Sequence, residues 1–240
     1  MLRAVPEMCA LIVAAGDGTR MGPGEAKPFR LLAGQPILLH TLTAFERCQA
    51  VEAVVLVVRG QDVERAWALA RAAACRKVMR VVAGGPTRQA SVGLGVAALP
   101  PDVAVVAVHD GVRPLVTPEA IARVVAAART TGAALLATKV AETVKVVEGD
   151  RVTRTLDRSS LWLAQTPQAF RADLLRQAHA YARATGLLAT DDAALVEAMG
   201  YAPAVVEGSP DNLKIATPDD LRLAEAILRG RGAAAPEPVG

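Results

Sequence analysis

Apolar, β-branched runs recur along the chain: MCALIVAA at 8–15, VEAVVLVV at 51–58, VMRVVA at 78–83, VAVVAV at 103–108 and AALLAT at 133–138. Between them lie segments with the three-and-four spacing of amphipathic helices: PILLHTLTAFERC at 36–48, QDVERAWALARAAA at 61–74, TRQASVGLGVAAL at 87–99 and TPEAIARVVAAARTTG at 117–132. Continuous apolar strands alternating with such helices predict an α/β fold, a mostly parallel twisted sheet with helices on both faces. In such sheets ligands sit in the loops that leave the carboxyl ends of the strands.

The pattern changes after residue 138. KVAETVKVVEGDRVTRTLDRS reads as two short strands, ETVKVV and RVTRTL, joined by a glycine-containing turn. Both faces of this hairpin are polar, so it has little to bury and is expected to leave the body as an arm, about residues 139–159. A helix over RADLLRQAHAYARAT, a second over DDAALVEAMG, a strand over APAVVE and a final helix over TPDDLRLAEAILRG complete the chain. Thr190 and Thr217 stand at helix starts, each with acidic residues behind it. Trp162 is expected to pin the base of the arm. No internal repeat or linker interrupts the pattern, which predicts one domain over residues 1–230 and a disordered tail over 231–240.

Composition narrows the partners. Hydrophobic residues make up 52% of the 240 and charged ones 21%, ample for one sizeable core. Only 3% are aromatic and the net charge is +3. That favours small anions over a long polyanion and argues against nucleic acid. No stretch reaches the roughly 18 uninterrupted apolar residues of a membrane span, and Glu7 with the glycine-rich loop behind it argues against a leader. Cys9, Cys48 and Cys75 match neither a disulfide framework nor a zinc spacing, as expected of reduced thiols in a cytoplasmic protein. His40, His109 and His179 also lack metal-ligand spacing.

Several loops carry candidate chemistry. LIVAAGDGTRMGPGEAKPFRLLAG breaks from a strand into four glycines and the cations Arg20 and Lys27. It is neither a Walker A loop nor a dinucleotide fingerprint. Its glycines admit a phosphate to the backbone, with charge from Arg20 and Lys27; a solvated surface loop is the plainer alternative. In VVAGGPTRQASVGLG, Gly84 and Gly85 end a strand and Ser91 offers a hydroxyl one turn into a helix, which equally describes a simple strand-helix turn capped by Thr87. VAVVAVHDGVRP places Asp110 at a strand's carboxyl tip, as a ligand group or as the ion-pair partner of Arg113. Lys214, in the DNLKIAT turn, can face a phosphate, while Asn212 can serve simply to shape that turn.

Taken together these segments resemble the 2-C-methyl-D-erythritol 4-phosphate cytidylyltransferases. The family pattern AAGxGxRM with a following lysine, GGxxRxxSV, VHDAARP, a hairpin with a DT pair, LWxxQTPQxF, TDD and DNxKIT appears here in order. It reads AAGDGTRM, Lys27, GGPTRQASV, VHDGVRP, ETVK, LWLAQTPQAF, TDD and DNLKIAT, across roughly residues 8–225. The chain departs at Ala26-Lys27-Pro28, at Gly111-Val112 and at Glu142, without losing a charged catalytic group.

The resemblance implies a Rossmann-like nucleotidyltransferase fold and attack of a polyol phosphate oxygen on the α-phosphorus of CTP, releasing pyrophosphate. It implies catalytic roles for Arg20, Lys27, Arg158 and Lys214. CTP would be framed by Ala14, Ala15, Gly16, Gly18, Gly84, Gly85, Arg88, Ser91 and Gly111, with the glycine pair reading the pyrimidine edge. Asp110, Arg113, Thr143, Thr190 and Asp211 would bind the polyol. It implies a Mg²⁺ bridging the phosphates, with Asp110 as its candidate ligand. It also implies a homodimer clasped by the arm, so that Thr143 and Arg158 complete the neighbour's site. Alternatives are a ribitol 5-phosphate cytidylyltransferase, a nucleotidyltransferase acting on another sugar phosphate or a molybdopterin, and a non-catalytic nucleotide-binding protein on the same fold.

Overall fold

The computed structural model describes residues 6–16, 21–22 and 24–233. Arg20 and Gly18 lie outside the described residues. A sheet of seven strands runs through the middle of the molecule. In chain order its strands are β1 (Met8–Ala14), β4 (Ala53–Val58), β5 (Val78–Ala83), β6 (Val105–Asp110), β7 (Ala133–Lys139), β10 (Trp162–Arg171) and β11 (Ala204–Glu207). Two small two-stranded ribbons, β2 (Leu31–Leu32) with β3 (Gln35–Pro36) and β8 (Lys145–Glu148) with β9 (Arg151–Thr155), lie outside it. The spatial order is β11-β7-β10-β6-β1-β4-β5. β1 pairs in parallel with both β4 and β6, β4 with β5, and β7 with β11.

Period two explains why the central strands read as unbroken apolar runs. Met8, Ala10 and Ile12 of β1 enter one core layer, and Cys9, Leu11 and Val13 enter the other. The first layer is covered by α1 (Ile37–Arg47), α2 (Val63–Ala72) and α4 (Pro118–Thr131) through Leu42, Phe45, Ala66 and Val124. The second is covered by α3 (Arg88–Ala97), α5 (Ala172–Thr185) and α6 (Asp192–Glu197) through Val92, Val96, Leu175 and Leu195. α7 (Pro218–Ala233) closes a third cluster with Leu32, Val112, Leu115 and Ile215. The three cysteines are buried and free, and burial pushes the Cys9 thiol up to about 12.

The structure departs from the sequence reading at β10. This strand stands in the sheet between β6 and β7 and runs antiparallel to both. Its buried stretch mixes polar with apolar residues: Gln165, Thr166 and Gln168 are almost fully enclosed beside Ala169 and Phe170, so no continuous apolar run announces it. The register with β7 shifts between Ala164 and Gln168. Pro167, which cannot donate to a ladder, falls inside that irregularity.

Smaller differences follow from local chemistry. α6 is capped by Asp191 rather than Thr190, the Asp191 carboxylate accepting the Ala194 N–H. The Thr217 cap is reciprocal: its hydroxyl accepts from the Asp220 N–H, while the Asp220 carboxylate accepts from the Thr217 N–H at 2.7 Å. α7 runs on to Ala233, past the expected boundary at residue 230. The hairpin forms with Gly149 at φ +63° in its turn. Trp162 opens β10 opposite Lys139, whose ammonium lies 5.4 Å from the indole. Among the described residues no helix is long and apolar enough to cross a membrane.

Candidate active site

Two clefts open at the carboxyl ends of β1, β4, β5 and β6. The larger, about 430 Å³, is lined by Ala14, Ala15 and Gly16 after β1, Lys27 and Pro28, the 59–61 segment after β4, Gly84 to Arg88, Ser91, and Asp110 and Lys214. The smaller, about 220 Å³, is lined by Arg113, Ala164 to Thr166, Gln168, Thr190 and Asp191. Arg88, Asp110 and Lys214 face both. One charged partition therefore separates the two spaces.

Glycines shape the floor of the larger cleft by close approach. A Cβ on Gly84 would stand 2.4 Å from the Ala15 Cβ and 2.8 Å from the Ser91 hydroxyl. One on Gly85 would meet the Ala90 Cβ at 2.8 Å. The first substitution would push the exits of β1 and β5 apart, and the second would push the turn away from the first turn of α3. Ser91 Oγ accepts the Gly85 N–H at 3.1 Å and donates to the Gly85 carbonyl at 3.3 Å, so this hydroxyl ties down the turn.

The partition is an ion cluster. Asp110, 6% exposed, receives Arg88 Nε at 3.0 Å and Lys214 Nζ at 2.8 Å, with Arg113 Nε at 3.7 Å. Burial by itself would raise the carboxyl pKa, but Arg88, Lys214 and Arg113 together hold it well below the usual range. The ion-pair reading of Asp110 and Arg113 thus holds, with two further cations that neither spacing nor motif had paired. Arg88 also donates Nη1 to Asp192 at 2.9 Å, and its buried Nη2 has no partner among the described residues. Burial works against the Arg88 charge, but Asp192 and Asp110 together lift its pKa above the ordinary value. Asp192 is seated by His179, whose Nε2 lies 3.3 Å from it.

A polar layer beneath holds the cluster in place. Burial lowers the His109 pKa to about 3, so the ring is neutral. Its Nε2 lies 3.2 Å from the Arg113 carbonyl, which can only accept, so Nε2 carries the proton. Nδ1 then accepts from the Thr166 hydroxyl at 3.0 Å, and that oxygen accepts the Asp110 N–H. The Asn212 side-chain amide donates to Gln165 Oε1 and to the Thr166 carbonyl, and the Asn212 main-chain carbonyl accepts Arg113 Nη1. Gln168 accepts the N–H groups of Asp192 and Ala193 and donates to Asp191 at 2.8 Å. Asn212 therefore braces β10 as well as shaping its own turn. The roles of His109, Gln168, His179 and Asp192 escaped the sequence reading because each acts on a partner far along the chain.

Other expected site residues lie elsewhere. Gly111 is buried against Ala14, Ile12 and Leu38, and it shapes the cleft from behind without lining it. Asp211 turns to Arg231 at 3.3 Å. Thr143 is exposed on the arm, and Arg158 stands at its base, donating to the Ala141 carbonyl. Neither lines either of these two clefts. Among the described residues no three of His, Cys, Asp and Glu converge as metal ligands. Asp110, ringed by three cations, does not fit the metal-ligand role expected of it.

A cleft at the strand ends, floored by glycines and divided by cations from a second polar cleft, can seat two anionic ligands side by side on an α/β sheet. The family model of IspD, 2-C-methyl-D-erythritol 4-phosphate cytidylyltransferase, matches residues 8–230. The chain belongs to that family. It is 47% identical over 227 residues to the 2-C-methyl-D-erythritol 4-phosphate cytidylyltransferase of Pelotomaculum thermopropionicum, covering 94% of this chain and 95% of that one. It is 51% identical over 224 residues to the bifunctional enzyme IspD/IspF of Desulforudis audaxviator, covering 92% of this chain but only 56% of that longer protein. Among solved structures, the 4-diphosphocytidyl-2C-methyl-D-erythritol synthase of Anaerococcus prevotii superposes with a TM-score of 0.82 at 31% identity, over 93% of this chain and 96% of that chain. The 2-C-methyl-D-erythritol 4-phosphate cytidylyltransferase of Thermus thermophilus gives 0.77 at 37% identity, over 91% and 98% respectively.

Proposed function

We infer that this chain joins CTP to 2-C-methyl-D-erythritol 4-phosphate, giving 4-diphosphocytidyl-2-C-methyl-D-erythritol and pyrophosphate in isoprenoid precursor synthesis. The observation that carries the reading is the shared Arg88–Asp110–Lys214 partition. The larger cleft takes CTP, its base against the Ala15–Gly84–Gly85 floor and its triphosphate toward Lys27. The smaller takes the acceptor, with Arg113, Thr190 and Lys214 around its polar groups. The acceptor phosphate oxygen attacks the α-phosphorus, the bond from that phosphorus to the bridging oxygen breaks, and pyrophosphate leaves.

No protein nucleophile is required. The residues position two polyanions and screen the charge that builds as they meet. At the partition three cations face two carboxylates, and Arg88 Nη2, without a partner among the described residues, offers a donor to a phosphoryl oxygen. Lys27 and Arg20 supply charge on the triphosphate side. A divalent cation, were it to accompany the triphosphate, would add charge screening there, and no cluster of His, Cys, Asp and Glu among the described residues is placed to hold it.

Arg158 and Thr143 act in the partner subunit of a homodimer; support comes from their place on an exposed arm outside their own clefts. Reduced, buried thiols suit a cytoplasmic setting.

The test is pyrophosphate release from CTP with methylerythritol phosphate as acceptor and ribitol 5-phosphate as control. Turnover is expected with the first, and Lys27→Ala and Arg20→Ala are each expected to lower kcat by about 10²-fold or more. Faster turnover with ribitol phosphate, or near-normal rates in either variant, would count against the assignment.

A further inference from the structure

Lys27 opens a single 3-10 turn, Lys27–Phe29. One side chain from another element holds both flanks of that turn. Arg65, on α2, forks onto Glu25 with Nη1–Oε1 at 2.7 Å and Nη2–Oε2 at 2.9 Å. The same guanidinium lies 4.1 Å from the centroid of the Phe29 ring, which is itself buried. Glu25 Oε1 also accepts the Ala26 N–H at 2.9 Å, which ties the carboxylate to the backbone entering the turn. Arg30 closes the far side, donating to the carbonyls of Met21, Gly22 and Glu25.

α2 follows directly on the Arg59–Asp62 segment, where Arg59 Nε meets Asp62 at 2.6 Å. Arg59, Gly60 and Gln61 line the larger cleft together with Lys27 and Pro28. A bond from α2 to the Lys27 turn therefore joins two walls of one cleft.

We propose that Arg65 is a positioning residue: its fork on Glu25 and its stacking on Phe29 hold Lys27 at the nucleotide cleft before the triphosphate arrives. The inference rests on the reading of Lys27 given above. The Arg65 and Glu25 side chains are 48% and 45% exposed, and pairs so exposed add little to stability. A two-point fork does fix orientation, which one point of contact does not. A charge displaced by about 1 Å at a reacting centre can lose about 10²-fold in rate.

The experiment measures kcat, both KM values and Tm for Arg65→Ala, Glu25→Gln, the double variant and Lys27→Ala. Each latch variant is expected to lose about 10-fold in kcat/KM for CTP, with Tm within about 3 °C of the parent. The double variant should lose little more than Arg65→Ala alone, because that change already removes the fork that Glu25→Gln breaks. The acceptor KM should stay within about two-fold, a split that general loosening of the fold would not give. Parental activity in Arg65→Ala, losses that multiply in the double, or losses that track Tm would overturn the proposal. An active Lys27→Ala enzyme would instead remove the functional reading beneath it, whereas an inactive Lys27→Ala beside a normal Arg65→Ala removes the latch alone.

Discussion

His109 shows what a single buried ring does for this site. Its folded pKa of about 3 lies below the ordinary 6.5, so the unfolded chain binds the proton first as acidity rises. The stability gained from keeping the ring neutral is complete above about pH 6.5 and is lost progressively as pH falls toward 3. Asp110 acts in the same direction but only from its ordinary value of 3.8 downward. Between pH 6 and 4.5 the histidine therefore accounts for up to about 1.4 kcal/mol per pH unit. A urea-midpoint series over that range should show a shallower decline in His109→Gln than in the parent. Equal slopes would mean that the ring is not held neutral.

At the scale of elements, α3 owes its place to a glycine in its own body. A Cβ on Gly95 would come within 2.3 Å of Leu11 Cδ1 and 2.9 Å of Val57 Cγ2, so the helix rests directly on β1 and β4. Gly95→Ala should destabilise by about 1–3 kcal/mol through overpacking, less up to about 1 kcal/mol returned by better helix propensity. Calorimetry would register a lower Tm, and an unchanged or raised Tm would mean the helix can lift without strain. The same scale shows what could be read from the chain. β1, β4 and β6 were legible because burial on both faces demands continuous apolar residues. β10 was not, since its enclosed Gln165, Thr166 and Gln168 satisfy one another and their neighbours by hydrogen bonds and look like loop residues in isolation. The site divides likewise. Lys27, the glycine pair, Asp110 and Lys214 stood in loops after apolar strands or in a turn before a helix. The joining of Arg88 to Asp110 and Asp192 spans 22 and 104 positions and carries no local signal.

For the whole molecule the arm matters most. Among the described residues β8 and β9 pair only with each other, and Val147 and Val152 remain 53% and 60% exposed. A two-stranded ribbon is marginal in water unless something covers it. On the dimer reading, sedimentation should find two copies, and deletion of residues 142–157 should give a monomer that binds CTP without turning over the acceptor. Arg158→Ala should raise the acceptor KM and leave CTP affinity intact. A fully active monomer, or loss of CTP binding in Arg158→Ala, would refute that division of labour.

The position of Lys214 has a consequence for biosynthesis. It reaches Asp110 from 104 residues further along, just ahead of the last helix. A chain emerging from the ribosome therefore displays the carboxylate long before this ammonium exists to meet it. The wall between the two clefts is completed only once residue 214 has been made, so a chain stalled before that point has no finished partition against which the two reactants could meet.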